Sequence, residues 1–268
     1  MKLTPDTVVS VQAAWAQILG VPRKSLAENG PRIYREKNDN SVLMFVSLFG
    51  TGVVVGPQWA LDAARSLTDD QLANPAQLLV ISAPHGGQPL GSAGLFFCDS
   101  APYDAAFHDT ALHNTAFNNT AFGESQPHLP GPAMTVSSPA MTVSRDCEDA
   151  AALQRGCSPD DVAEVGLSDM MNTFVLLGGE GLAPRPLAGS GYDVWAESLA
   201  HMGVLTAAGQ RRKGHAVTAV SIAVNHAIAS SLVPQWRART NNTASTRTAL
   251  RAGFHHAGSQ TTVILEAA

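Results

Sequence analysis

Three adjacent cationic side chains, at residues 211–213, precede a glycine and a long apolar run in the segment "AGQRRKGHAVTAVSIAVNHA" (208–227). The apolar run predicts a helix that begins near Lys213, after a short polar loop. Free N–H groups and the positive dipole end of a helix start bind anions. Gly214 and Ala216 would leave no side-chain bulk between the backbone and a phosphate. The segment therefore predicts a pyrophosphate site, with a solvated helix start as the alternative.

The segment does not match two well-defined phosphate-binding motifs. It lacks the GxxxxGK[ST] pattern of a P-loop and the GxGxxG pattern of a dinucleotide fingerprint. A broad nucleic-acid surface is also disfavoured, because the chain has a formal net charge of −5 at pH 7 and such surfaces need a basic face. A nucleotide-binding strand, loop and helix stays open on these residues alone.

A second block, "NTASTRTALRAGF" (242–254), begins 28 residues after Gly214. The first segment contains "RRKGHA", which fits Arg/Gln-x-x-Gly-x-Gly/Ala, and the second block fits Asn-x-x-Ser/Ala ending in x-Gly-Phe. With their order of strand, loop, helix, strand, helix and strand, the two motifs resemble those of the GCN5-related N-acetyltransferases (the GNAT superfamily). The resemblance covers residues 146–268 and disfavours the nucleotide-binding alternative. The matching residues are Arg211, Gly214, Ala216, Asn242, Ser245, Gly253 and Phe254.

The resemblance implies that acetyl-CoA binds, as a co-substrate, in a V-shaped opening between two central parallel strands, here 199–206 and 234–240. The backbone of 204–206 would pair with the pantetheine arm, and the main chain of 212–217 would hold the pyrophosphate. Asn242 would contact the cofactor near the thioester, with a plain helix N-cap as its alternative role. The residues expected to bind the cofactor are Val204, Leu205, Thr206, Arg211, Arg212, Lys213, Gly214, His215, Ala216, Val217, Asn242 and Ser245.

The implied reaction is attack of an amine on the acetyl carbonyl, polarised by strand N–H groups, with a base to take up the amine's proton. The candidates for that catalytic role are Glu197 and His201, on the strand that enters the site. By strict alternation they share one face about 13 Å apart, unless a bulge of the kind common in the family changes the parity. A surface glutamate and a histidine satisfied within the sheet are the alternatives. The further residues considered are Tyr192, Asp193 and Trp195 for the acceptor pocket, with Trp195 and Trp236 also assigned to the core.

The sequence departs from the family at one catalytic position. Many members carry a tyrosine seven residues after the motif asparagine, placed to protonate the leaving thiolate, and here that position is Ala249. We therefore keep two functions: an acetyl-CoA-dependent N-acetyltransferase that acts on a primary amine of a small molecule or a protein, and a non-catalytic acyl-CoA-binding regulatory module.

The composition is that of a globular chain, with 45% hydrophobic and 15% charged residues. No signal peptide is recognised, and Asn225 and His226 interrupt the longest apolar run, which predicts a core helix rather than a membrane span. The three cysteines lack a CxxC pair, so a reducing, cytoplasmic location is expected. The expected partners are acetyl-CoA and an unidentified amine, without nucleic acid, membrane or metal, and homodimer formation is left open.

The chain is divided into a smaller α+β N-terminal domain (1–100), a surface loop or linker (101–131) and a GNAT domain (132–268). The predicted fold class is α/β (α+β), with a GNAT-like mixed, partly splayed β-sheet flanked by helices. Within residues 1–100, the sequence pattern predicts a helix at 7–20 and a hairpin at 41–56. No motif in this segment indicates a catalytic or binding function. This segment is either an extension with its own fold or a degenerate second copy.

The linker contains short repeats. "AFHDTALHNTAFNNTAF" (106–122) repeats every five residues, and "AMTVS" occurs twice within 132–144. So few copies predict an expanded loop rather than a repeat coil. Its histidines, His108, His113 and His128, have no fixed third ligand, so no metal site is predicted.

Overall fold

The computed structural model describes residues 2–27, 30–37, 41–100, 141–178 and 184–266. The helices are α1 Pro5–Leu19, α2 Gln58–Ala64, α3 Asp69–Ala73, α4 Pro75–Ser82, α5 Cys147–Arg155, α6 Pro159–Val165, α7 His215–Ala229 and α8 Thr243–Arg251. The strands are β1 Ile33–Glu36, β2 Val42–Leu48, β3 Thr51–Gly56, β4 Gln88–Phe97, β5 Thr142–Ser144, β6 Asn172–Gly178, β7 Arg185–Trp195, β8 Leu199–Thr206, β9 Val233–Arg239 and β10 His255–Ile264. The predicted repeat at 106–122 and its histidines lie outside the described residues.

The strands form one ten-stranded mixed sheet in the order β1-β3-β2-β10-β4-β9-β8-β7-β6-β5. The pairs β1–β3 and β8–β9 are parallel, and the other neighbours are antiparallel. The predicted fold class, a mixed sheet flanked by helices, is confirmed.

Strands from the two halves of the chain are interleaved in this sheet. β4 belongs to the first hundred residues, yet it pairs with β9 and β10 of the C-terminal half, and β10 pairs in turn with β2. The sheet therefore runs without a break through both predicted domains, whose boundaries stay a prediction. One consequence matters for function: the N-terminal half directly supports the central parallel strands.

Helices cover both faces of the sheet. α7 and α8 pack on one face through a cluster that includes Val220, Val224 and Phe254, and α2 to α4 cover the same face beside β2 and β10. α1 packs on the opposite face through Val11 and Trp15, and α5 and α6 lie on that face farther along the sheet. Apolar residues are thus buried on both faces of the sheet. An opening can therefore form at the edges of the central strands.

Local signals account for most element boundaries. Thr4 caps α1, whose C-terminus is closed by Gly20 in the left-handed region, and the predicted hairpin at 41–56 forms as β2 and β3. The apolar residues 95–97 are the end of the longer β4, which begins at Gln88. Helix α7 begins at His215, two residues after its expected start. Among the described residues, no helix has the length and apolarity required to span a membrane.

Candidate functional site

The central opening lies between the two parallel strands β8 and β9. The strands pair at Leu199 with Val233, Ala200 with Pro234 and His201 with Gln235, and beyond these pairs they no longer pair with each other. β8 continues along β7, and β9 continues along β4, so the two strands diverge. A cleft of about 1040 Å³ occupies the divergence, bounded by the beginnings of α7 and α8 and by α6.

One wall of the cleft is the unpaired edge of β8. Ala207 N–H donates to Leu187 O over 3.1 Å, in the register of the β7–β8 ladder. Hydrogen-bonded pairs alternate along an antiparallel ladder, so the N–H and C=O groups of Val204 and Thr206 face the cleft. Those of Leu205 face β7, which corrects its predicted pairing with the pantetheine arm. The register has no bulge, so the side-chain parity along β8 holds.

The other wall is the edge of β9. Cys98 N–H donates to Pro234 O over 3.1 Å, and Thr240 N–H donates to Ser92 O over 3.0 Å. By the same alternation, the backbone groups of Arg237 and Arg239 face the cleft rather than β4. Sequence reasoning did not identify this wall. An acyl chain that enters the cleft would find backbone partners on both sides.

The N-terminus of α7 lies at the open end of the cleft, and we call residues 211–217 the phosphate end. Gly214 is the N-cap, with φ +90° and no side-chain cap, and a Cβ on it would meet no atom within 4 Å. Among the described residues, no backbone carbonyl accepts a hydrogen bond from the N–H of Gly214, His215 or Ala216. Free N–H groups and the positive end of a helix dipole favour anions, and the predicted pyrophosphate contacts of these residues stay a prediction. Burial and the neighbouring Lys213 charge lower the pKa of His215, so its imidazole is neutral at pH 7.

The three cations of the phosphate end are held differently. Arg211 Nη2 pairs with Asp161 Oδ2 on α6 at 2.6 Å, which ties the loop to α6 across the cleft. The Ser158 hydroxyl bond and this arginine lower the pKa of Asp161. Lys213 Nζ donates to Gln210 Oε1 at 3.0 Å, while Arg212 is exposed with φ +66°. The side chain of Arg211 is thus paired with Asp161, and its predicted contribution to cofactor binding stays a prediction.

Asn242 and Ser245 lie at the beginning of α8, on the cleft wall. Asn242 Oδ1 accepts from Ser245 N–H at 3.0 Å, so the alternative role of Asn242 as a helix N-cap is confirmed. The Ser245 hydroxyl accepts from Trp236 Nε1 at 3.0 Å, which locks the helix start onto β9. The predicted cofactor contacts of both residues stay a prediction.

Ala249 is completely buried between α7, α8 and β9. Its carbonyl accepts from Phe254 N–H at 3.0 Å, within the closure of α8. The position that carries a tyrosine in many family members is here part of the core, and it offers no hydroxyl to the cleft.

Glu197 does not lie on the strand that enters the site. It occupies the turn between β7 and β8, where Ala196 and Glu197 have φ of +46° and +60°, and it does not line the cleft. The hairpin closes with Ser198 N–H donating to Trp195 O at 3.2 Å, so the expected strand alternation begins only at Leu199. The predicted strand position of Glu197 is therefore wrong, and its catalytic role stays a prediction.

His201 lines the cleft where the strands diverge, and its proton can be assigned. Trp15 Nε1, which can only donate, bonds Gln235 Oε1 at 2.8 Å and so turns Gln235 Nε2 toward His201 Nδ1 at 3.2 Å. His201 Nδ1 accepts, and the neutral ring carries its proton on Nε2. Burial and the charge of Arg237 lower the pKa of His201 to about 4. The predicted role of general base does not fit a ring that donates and resists protonation.

Trp195 and Arg237 complete this part of the wall, and we call Trp195, His201, Gln235 and Arg237 the junction cluster. The rings of Trp195 and His201 stack at a centroid distance of 3.9 Å and an angle of 19°. Arg237 Cζ lies 5.9 Å from the centre of the Trp195 ring. Trp195 thus lines the cleft and also packs against the core residues of α1. Its predicted place in an acceptor pocket stays a prediction.

Asp193 is a carboxylate that shares the cleft wall with His201. The two residues face each other in the β7–β8 register, on the face that carries α6, and both line the cleft. Asp193 Oδ1 accepts from Met171 N–H at 2.9 Å, and among the described residues no backbone N–H donates to the other oxygen. Tyr192 instead points to the opposite face, where its hydroxyl bonds His226 Nδ1 at 2.7 Å. The predicted acceptor-pocket role of Tyr192 is therefore wrong.

Sequence reasoning missed Trp15, Gln235 and Arg237. A signal for Arg237 exists in "PQWRART", where Arg237 and Arg239 alternate with Trp236 and Ala238 and so share one polar face of the strand with Gln235. Trp15 lies 220 residues from its partner Gln235, and no local pattern connects them. The described residues contain no cluster of three or more His, Cys, Asp or Glu side chains that could hold a metal.

Known proteins similar to this chain were found only by structure. Comparison with family models and with curated proteins found no match. A GNAT-family acetyltransferase from Novosphingobium aromaticivorans is 15% identical over 68% of this chain and 68% of its own, with a TM-score of 0.37. One from Colwellia psychrerythraea is 13% identical over 70% of this chain and 60% of its own, with a TM-score of 0.38. A GCN5-related N-acetyltransferase-like protein from Streptococcus suis is 14% identical over 82% of this chain and 83% of its own, with a TM-score of 0.43.

The superfamily that the sequence motifs predict is the one to which these structures are assigned. Every TM-score lies below 0.5, so no residue role or substrate is transferred from them. The chain also spans only 60% of the length of the Colwellia protein.

Proposed function

We propose that the chain is an acetyl-CoA-dependent N-acetyltransferase that acetylates a primary amine. The single observation that supports this most strongly is the divergence of β8 and β9 toward the uncapped N-terminus of α7. A pantetheine arm requires an extended channel with backbone partners, and a pyrophosphate requires N–H groups at one end of it. The cleft offers both in the order in which CoA would need them.

The residues present fit the cofactor. The backbone groups of Val204 and Thr206 on β8 and of Arg237 on β9 would flank the arm, in keeping with their cleft-facing parity. The free N–H groups of residues 214–216 would hold the pyrophosphate, assisted by the exposed Arg212. When bound, acetyl-CoA would supply an acetyl group activated by a thiolate leaving group.

The chain's own chemical task is to manage protons. An ammonium acceptor loses a first proton to a base and becomes the nucleophile, its nitrogen bonds to the acetyl carbon, the carbon–sulfur bond breaks, and the nitrogen loses a second proton as the amide forms. Asp193 takes the proton, because it is the cleft carboxylate beside His201 and His201 already holds a proton on Nε2. The second proton passes through water to the leaving thiolate, since buried Ala249 offers no hydroxyl.

The proposal is tested first by cofactor binding. Acetyl-CoA at about 100 times its Kd stabilises a protein by about 2.7 kcal/mol, which raises the Tm of a chain of this size by roughly 5 to 10 °C. Gly214→Val adds bulk against the free N–H groups and disturbs a φ of +90°, so the variant should lose this rise. Differential scanning fluorimetry with and without acetyl-CoA measures it.

Gly50→Val is the matched control. Gly50 has φ +88° in the β2–β3 turn, and a Cβ there also meets no atom within 4 Å. Both variants should lose similar intrinsic stability, because valine in the left-handed region is strained at either site. Only the Gly214 variant should lose the acetyl-CoA shift, and an equal shift in both variants would contradict the proposed phosphate end.

A non-catalytic acyl-CoA-binding module is the second candidate, favoured by the burial of Ala249 in the core. Release of free CoA thiol with a panel of amines separates the two. Binding of acetyl-CoA without amine-dependent thiol release would support the module and refute the transferase.

A further inference from the structure

Arg237 lies in the cleft wall, and no described residue is hydrogen-bonded to its side chain. Its Nε is the one buried side-chain nitrogen or oxygen in the described part of the chain that lacks a hydrogen bond. Leaving a buried polar group unpaired is unfavourable, and a buried charge more so. Burial accordingly lowers the pKa of Arg237, although a guanidinium remains charged at pH 7.

Some other arginines of the described residues, including the cleft residues Arg211 and Arg239, have carboxylate partners. Arg239, two residues farther along the same face of β9, lies 3.7 Å from Glu164, and Arg32 pairs with Asp69. Arg237 has no such ion pair in the described residues. Its guanidinium carbon instead lies 5.9 Å from the Trp195 ring centre, and its charge depresses the pKa of His201 beside it.

His201 adds a second donor to the same place. Because Trp15 and Gln235 fix the accepting atom at Nδ1, the Nε2–H group is the donor left over. A guanidinium and an imidazole N–H in one cleft wall are complementary to an oxyanion, and a guanidinium fork matches a carboxylate in particular. The stacked rings of Trp195 and His201 hold the two donors in position.

We propose that Arg237, with His201 Nε2–H, binds a carboxylate of the acceptor, so that the acceptor is an amino acid or another amine that carries a carboxylate. The inference rests on the proposed transferase function and names the substrate class of that site. The amine end would lie toward Asp193, which faces His201 across the β7–β8 ladder. The cationic Arg237 and the anionic Asp193 would thus bind the carboxylate and the ammonium group of a zwitterionic acceptor.

The experiment measures binding directly, by isothermal titration calorimetry on the full chain with and without acetyl-CoA. The probes are glycine, β-alanine, 4-aminobutyrate, 5-aminovalerate, alanine, glutamate and phenylalanine, each beside its own carboxamide. At least one acid should bind roughly 10- to 100-fold more tightly than its carboxamide, because a charge-assisted hydrogen bond is lost in the amide. The length series also reports the spacing between amine and carboxylate.

Arg237→Gln should bring the acid and its carboxamide to within about threefold of each other. Arg65→Gln is the matched control, since Arg65 also stacks on an aromatic ring, Tyr34, at 4.5 Å, outside the cleft. This variant should keep the full preference for the acid. Circular dichroism and the acetyl-CoA shift in Tm confirm that both variants fold and keep the phosphate end.

Two outcomes would overturn the inference. One is that no acid binds the unmodified chain more tightly than its carboxamide. The other is that Arg237→Gln weakens acid and carboxamide equally, which would assign Arg237 to the bound cofactor or to the fold. Failure of the proposed function is seen separately, as a missing acetyl-CoA shift or missing thiol release, while an Arg237-dependent preference for the acid would still establish a carboxylate site.

Discussion

The two ends of the cleft are built in different ways. The phosphate end uses backbone N–H groups that a glycine with φ +90° leaves exposed, and its cations are tethered to neighbours or exposed to solvent. The junction cluster uses side chains, held by a hydrogen-bonded chain from Trp15 through Gln235 to His201. The first end needs only one local conformation, whereas the second depends on three elements meeting in one place.

The difference teaches where specificity resides. A backbone cradle recognises phosphate groups that every CoA thioester shares, so it can select a cofactor but not an acceptor. The junction cluster presents a fixed donor on His201 and a guanidinium on Arg237, and their positions depend on this chain's own packing. We therefore expect substitutions in the junction cluster to affect chemistry and acceptor choice while acetyl-CoA binding persists.

The largest effect is expected for Asp193→Asn. The amide keeps the oxygen that accepts from Met171 N–H, but it cannot take up a proton, so kcat should fall about 100-fold or more. The acetyl-CoA shift in Tm should be unchanged. Steady-state thiol release checks the rate, and exposed Asp70→Asn on α3 is the control, with normal activity expected. A normal rate in the Asp193 variant would remove Asp193 from the reaction.

The next largest effect is a loss of stability at low pH that comes from His201. The pKa of His201 is about 4 in the folded chain and about 6.5 when unfolded, so below pH 6.5 the unfolded chain binds a proton that the folded chain does not. The free energy of unfolding should therefore decrease as the pH is lowered. This group accounts for at most about 2.5 kcal/mol of the decrease between pH 7 and pH 4.5. Urea unfolding at both pH values measures the loss.

His201→Gln isolates that contribution. Glutamine can accept from Gln235 and donate into the cleft, but it does not titrate, so this variant should lose less stability between pH 7 and pH 4.5. Asp161, whose pKa is lowered mainly by Ser158, also loses stabilising interactions in acid and is present in both proteins. Identical pH dependence of the two proteins would mean that His201 is not buried as a neutral ring.

The smallest effect is expected for Trp15→Phe. The substitution leaves buried Gln235 Oε1 without its donor, which should cost about 1.5 kcal/mol of stability. The side-chain amide of Gln235 can then rotate by 180° and present either its oxygen or its NH2 group to His201. The ¹⁵N chemical shifts of His201 should therefore show a mixture of tautomers. Trp59→Phe, outside the cleft, should leave those shifts unchanged. A single Nε2–H tautomer in the Trp15 variant would show that α1 does not control His201.

The phosphate end and the order of elements in the C-terminal half could be predicted from local patterns. Helix α7 follows its loop as predicted, Asn242 caps α8, and strands 199–206 and 234–240 are the parallel pair. Glu197 was misplaced because a hairpin turn with positive φ at two non-glycine residues leaves no strong mark in composition. Leu205 was misassigned because the direction of a strand's hydrogen bonds depends on its neighbour.

The N-terminal half was the least predictable part. Its hairpin and first helix follow from periodicity, but the insertion of β4 between β9 and β10 joins segments that no local pattern connects. That insertion, with α1 packed on the same strands, is what brings Trp15 to Gln235. A segment without any chemical motif thereby sets the proton position on a residue of the cleft.

By itself, the sequence determined the features that reside in a few consecutive residues: a glycine that opens a helix start, the cations before it, and the cap of the next helix. These depend on backbone conformation over one turn, which neighbouring residues decide. Only the tertiary structure decided that His201 is a neutral donor and that Arg237 stands unpaired beside it. Protonation and desolvation depend on every group packed around a side chain, and here those groups come from both halves of the chain.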